Sequence, residues 1–108
     1  MKNKMEVIGN IYQAGVYGIR VKGEEGCIYV GSALEINDAL SRHVYYLKRG
    51  LYADTNKAKL QEYYDMDSLE FIILHESEQK DKIRNMSTEE KENLDAAMSV
   101  LEVFYINL

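Results

Sequence analysis

The side chains that could do chemistry here are few, and they come in a suggestive order. Gly15-Val16-Tyr17 is followed, after eleven residues, by Tyr29-Val30-Gly31-Ser32-Ala33. Arg42-His43 comes next, and Glu102 lies near the end. Tyrosine, arginine, histidine and glutamate are residue types that can carry charge or exchange protons. Other chemistries fall away. Cys27 is the single cysteine, and the histidines are His43 and His75, which excludes an internal disulfide and a Cys/His zinc centre. No glycine run precedes a Lys-Ser or Lys-Thr pair at the spacing of a phosphate loop.

Each feature also has a plain structural reading. Tyrosines in strands commonly pack across to a neighbour, and a chain with nine of them produces short triplets by accident. Glu102, taken alone, is a solvated glutamate beside an apolar stripe. His43 reads equally well as a partly buried structural histidine. His75, at the end of an apolar run, reads as packed. The five methionines form no stripe beyond core filling.

The elements that must position these residues are legible from periodicity. Val16–Val21 and Cys27–Val30 read as strands, joined through Lys22-Gly23-Glu24-Glu25-Gly26 as an antiparallel hairpin. Leu69–Leu74 is the third and most apolar strand. Asn37 is the expected N-cap of a helix whose buried stripe is Leu40, Val44, Leu47 and Leu51, with Gly50 at its C-terminal end. A second helix is expected over 56–64, with Thr55 as cap. Ser87-Thr88-Glu89-Glu90 reads as a capping box, opening a helix with Leu94, Ala97, Met98, Leu101, Tyr105 and Leu108 on one apolar face. The order ββα-α-β-α predicts an α+β domain with a small three-stranded sheet flanked by helices. Residues 1–13 read as a leader, frayed or adding an edge segment, and 14–108 as the domain.

Taken together, the paired triplets, Arg42-His43, Lys59-Leu60-Gln61, Ile73-Leu74-His75-Glu76 and Leu101-Glu102-Val103-Phe104-Tyr105-Ile106 resemble the GIY-YIG nuclease family over about residues 14–108. The resemblance implies metal-dependent hydrolysis of DNA phosphodiesters. Glu102 would hold one Mg²⁺ or Mn²⁺, for which a single carboxylate suffices when the ion keeps most of its waters. Tyr17 would activate water or assist in it, and Tyr29 would position water or phosphate. Gly15 and Gly31 match the motif glycines. Tyr17, Tyr29 and Glu102 should then line one groove.

The departures from the family pattern are equally specific. The arginine of the family stands eight residues beyond the glycine matching Gly31, and that position is Ala39. Arg42 lies one turn further on, and a long guanidinium leaning toward the helix N-terminus could reach back. His43 is near the same face. The loop Leu51-Tyr52-Ala53-Asp54-Thr55-Asn56 has no histidine where many members carry one. Asn107 lies too close to the last helix to replace the asparagine that closes the site in many members. These losses imply a degraded active site: a binding or inhibitory module of phage or mobile-element type, engaging a protein or nucleic acid. A host enzyme or defence component is a conceivable partner. The alternative is an active DNA endonuclease or nickase using Tyr17, Glu102 and a relocated Arg42, in which Ala39→Arg should raise nicking.

Charge sets a further bound. The formal net charge is -5, which argues against a broad nonspecific nucleic-acid surface. Yet the segment 42–59 holds five basic residues (Arg42, Lys48, Arg49, Lys57 and Lys59) against Asp54 alone. Lys48, Arg49 and Lys57 are the candidate phosphate contacts, and any DNA binding through them should be weak and salt-sensitive. An ordinary solvated helix would look the same from charge alone. The tyrosine pairs Tyr45-Tyr46 and Tyr63-Tyr64 could supply an aromatic interface or complete the core of a tryptophan-free chain. No apolar run reaches the length of a membrane span and no signal-peptide core is present, so a cytoplasmic protein is expected.

Overall fold

In the computed structural model, which describes residues 5–76 and 87–106, the chain runs β1 (Glu6–Ile8), β2 (Gly15–Val21), β3 (Cys27–Ala33), α1 (Ile36–Lys48), α2 (Ala58–Asp65), β4 (Leu69–Glu76) and α3 (Thr88–Ile106). The expected α+β class holds. The strands form one mixed sheet in the order β1-β4-β2-β3. β2 is antiparallel to both β3 and β4, while β1 runs parallel to β4.

The sheet has four strands rather than three. β1 contributes only three residues, and its partner lies far along the chain, with Glu6 opposite Glu70. Such a pairing leaves no local pattern to read. Residues 5–13 are built into the body: Met5 is buried in the main core, and the backbone oxygens of Ile11 and Gln13 accept from the N–H groups of Asn37 and Ile36.

Alternation along β2 sends its side chains to two separate cores. Tyr17 and Ile19 join Phe71, Leu69 and Tyr29 on the face covered by α1 and α2. Val16 and Ala14 join Met98 on the other face, flanked by Val30, Leu74, Leu94, Leu101 and Tyr105. α1 and α2 therefore cover one face and α3 the other. α3 lies mostly along the edge strand β3.

The helix ends follow from their hydrogen bonds. α1 begins at Ile36, not after Asn37, and Glu35 at its N-cap makes no side-chain bond. The leader carbonyls already satisfy the first amide donors, so no capping side chain is required. Its C-terminal end is a Schellman motif. Gly50 has φ +68°, its N–H donates to Leu47 O, and Leu51 N–H donates to Tyr46 O. That reversal carries Leu51 out of the expected stripe, leaving it 49% exposed. α2 starts at Ala58 because Thr55 closes a turn ahead of it, its Oγ1 accepting from Lys57 N–H and donating to Tyr52 O. The capping box at Ser87 forms as expected, with Glu90 N–H donating to Ser87 Oγ and Ser87 N–H to Glu90 Oε1. Along α3, Met98 is buried and Leu94, Leu101 and Tyr105 are half-buried, whereas Ala97 is exposed; Asn107 and Leu108 lie outside the described residues.

Candidate functional site

The site grows out of the hairpin register. Tyr17 stands opposite Gly31 on β3 and Ile73 on β4, and Tyr29 stands opposite Ile19. Both tyrosines therefore occupy neighbouring antiparallel strands on one sheet face. Gly31 is required by the tyrosine that crosses it. A Cβ there would fall 2.6 Å from the Tyr17 hydroxyl and 3.1 Å from a ring carbon of Tyr29. The missing side chain is what lets the Tyr17 ring lie across β3. Gly15 similarly permits close approach to the His75 carbonyl and Ile36.

Tyr17 is sandwiched. Phe71 stacks on it at 4.8 Å between ring centroids, and Tyr29 lies at 6.2 Å. Its hydroxyl meets His43 Nε2 at 2.9 Å, and His43 Nδ1 meets the Tyr52 hydroxyl at 2.9 Å. A neutral imidazole donates through one nitrogen and accepts through the other. One phenol therefore donates its O–H to the bare ring nitrogen, and the oxygen of the other accepts from the ring N–H. The chain Tyr17–His43–Tyr52 bridges the sheet, α1 and the loop ahead of α2. Tyr29 adds an edge contact to His43 at 5.0 Å.

Burial dominates the electrostatics. It pushes His43 down to about 4, helped by the positive charges of Lys57 and Arg42. The imidazole is therefore neutral at pH 7. Burial likewise raises Tyr17 far above the ordinary phenol value. Tyr29 adds to this by charge and hydrogen bonding and Glu102 by its negative charge, while Arg42 opposes it. Tyr52 is raised too, by burial first and then by Tyr29 and Tyr46. The site holds its protons on the phenols and keeps the imidazole uncharged.

The expected residues divide into those brought together and those kept apart. Tyr17, Tyr29 and His43 form one cluster, with Lys57 Nζ 5.8 Å from the Tyr29 ring centroid and 5.3 Å from that of Tyr52. Arg42 is exposed and borders an open groove of about 420 Å³ with Ser32, Asp38 and Lys91. Lys48 and Arg49 sit at the end of α1, more than a turn beyond His43, and Arg49 lies over the Tyr45 ring at 3.8 Å. Glu102 is half-buried on α3, whose apolar stripe covers the opposite sheet face. It reaches Tyr17 through its charge. Among the described residues no group of three or more His, Cys, Asp or Glu gathers to hold a metal. One half-buried carboxylate fits only a hard cation that keeps most of its water, such as Mg²⁺ or Mn²⁺.

Ala39 is fully buried in the core that contains Tyr17, Ile36 and Leu40. A guanidinium starting from that Cβ begins inside packed core and has to displace it. Tyr52 is a participant that no motif marks. It stands in the loop ahead of α2, and its one signal in the sequence is an aromatic residue among turn-forming polar ones. A scan against protein-family models, a search of curated proteins and a search of solved structures each found no match to this chain.

Proposed function

We propose that this chain is a cytoplasmic GIY-YIG-like domain that engages its partner, nucleic acid or protein, with little or no cleavage. The state of Tyr17 carries the reading. Its hydroxyl is buried, bonded to a neutral imidazole and held protonated. A phenol in that condition orients a neighbouring group but does not take a proton from water at neutral pH. No guanidinium stands at position 39, and the position is sealed.

The alternative is a slow, metal-dependent nickase. It is favoured by electrostatics: Arg42 on α1 lowers the proton affinity of the Tyr17 hydroxyl and Glu102 on α3 raises it, so both charges act on the same phenol. In that reading Glu102 would hold Mg²⁺ or Mn²⁺, which would supply Lewis-acid stabilisation of a phosphate oxygen. Among the chain's own groups, Arg42 would neutralise phosphate charge, and Tyr17 and Tyr29 would orient water or phosphate.

Supercoiled plasmid with Mg²⁺ or Mn²⁺ separates the two. The native protein is expected to leave it supercoiled, or to nick it slowly in a reaction abolished by Glu102→Ala. Rapid linearisation that is lost in Glu102→Ala would overturn the binding reading. Nicking lost in Arg42→Ala would assign the relocated role to that residue.

A further inference from the structure

The buried Tyr17–His43–Tyr52 chain does not end at Tyr52. The Tyr52 ring stacks on Tyr46 at 5.4 Å with only 19° between planes, and Tyr46 meets Tyr45 edge-on at 5.5 Å. An aromatic ladder thus runs from the candidate site out to the surface, where Tyr46 is 40% and Tyr45 50% exposed. Two cations ride on it: the Arg49 guanidinium over Tyr45, and Lys57 beside Tyr52 and Tyr29. These rungs lie within 42–59, where five basic residues face one acidic residue in a chain of net charge -5.

Core packing accounts for Tyr52 but not for two adjacent tyrosines left half in water, one of them carrying a guanidinium on its ring. Aromatic faces interleaved with Lys and Arg suit a ligand carrying flat rings and a regular negative charge. A duplex hides its base faces in the stack, whereas a single strand offers them. We propose that the Tyr45–Tyr46–Tyr52 ladder, with Arg49 and Lys57, is a binding surface for single-stranded nucleic acid. Bases stack on the exposed rings, and phosphates meet the two cations. This rests on the binding reading given above and names its ligand.

The test is fluorescence anisotropy with short labelled oligothymidylate, oligouridylate and a duplex of equal length, over a range of salt concentrations. Either single strand should bind more tightly than the duplex, and the preferred sugar identifies the source. Tyr45→Ala with Tyr46→Ala should weaken binding by roughly ten- to a hundredfold without changing the salt slope. Tyr45→Phe with Tyr46→Phe should keep it, because the ring rather than the hydroxyl stacks. Arg49→Glu with Lys57→Glu should weaken binding and flatten the salt slope. Equal or tighter binding of the duplex, or alanine variants that are folded yet bind like the native chain, overturns the proposal. An uncut plasmid with no single-strand binding would refute this surface while leaving the non-cleaving reading standing. Glu102-dependent cutting would refute that reading by itself.

Discussion

His43 is the residue on which the site turns, and acid should expose it. Its imidazole is buried between two phenols and pushed down to about 4 from an ordinary value of 6.5. Between those values the unfolded chain binds a proton that the folded chain does not. Stability from this group is fully present above pH 6.5 and falls as the pH drops toward 4, by up to about 3 kcal/mol in all. Urea unfolding should therefore show a loss of about 2 kcal/mol between pH 7 and pH 5, a window above the ordinary range of carboxylates. His43→Gln should be less stable at pH 7 but much flatter across that window. A native profile flat from 7 to 5 would mean that the imidazole is not buried neutral. Tyr52→Phe probes the same chain from its far end. It leaves a buried ring nitrogen without its partner and should cost about 1 to 3 kcal/mol in the same assay.

At the scale of elements, β2 and β3 exist to place two tyrosines, and the glycine between them tests that placement. Gly31→Ala puts a methyl group where the Tyr17 hydroxyl lies, 2.6 Å away, so the phenol has to leave His43. The expected cost is about 1 to 3 kcal/mol, with a shifted tyrosine environment in near-ultraviolet circular dichroism. A crystal structure of Gly31→Ala that keeps the Tyr17–His43 bond would refute this account. The hairpin, the apolar β4, the Gly50 stop and the Ser87 capping box were legible because each has a local signature: alternation, a left-handed turn, or reciprocal side-chain bonds. β1 was not, since three residues pairing in parallel with a strand some sixty positions away carry no periodic mark. Asn37 is not the cap because the helix starts ahead of it: the N–H groups of Ile36 and Asn37 are held by the distant backbone oxygens of Gln13 and Ile11, and Ala39 N–H already donates to Glu35 O. Within the site, the strand positions of Tyr17 and Tyr29 followed from the pattern. The burial of Ala39 and the entry of Tyr52 depended on how a helix and a loop settle on the sheet, which no spacing encodes.

At the scale of the whole molecule, the basic, aromatic segment 42–59 belongs to a chain whose net charge is -5. Under the single-strand proposal, phosphate binding there works against the field of the rest of the chain. The acidic side chains of the first half of α3, Glu89, Glu90, Glu92 and Asp95, are exposed, and α3 packs on the sheet face away from α1 and α2. No hydrogen bond, ion pair or ring contact shown among the described residues joins them to the tyrosine ladder or its cations, so on a strand bound there they would act through long-range repulsion. That repulsion is felt over about 10 Å at 0.1 M salt and about 3 Å at 1 M. Replacing Glu89, Glu92 and Asp95 with glutamine or asparagine should therefore tighten oligothymidylate binding severalfold at low salt, chiefly through faster association, and do nothing near 1 M. Neutralising Arg49 and Lys57 should do the reverse at low salt and flatten the dependence, since each phosphate contact on a single strand adds about 0.7 to the slope of log affinity against log salt. Anisotropy titrations and stopped-flow association at three salt concentrations read both effects. If the α3 substitutions tightened binding equally at every salt concentration, they would be touching the ligand directly. The bound strand would then lie against α3 and not along the tyrosines of α1.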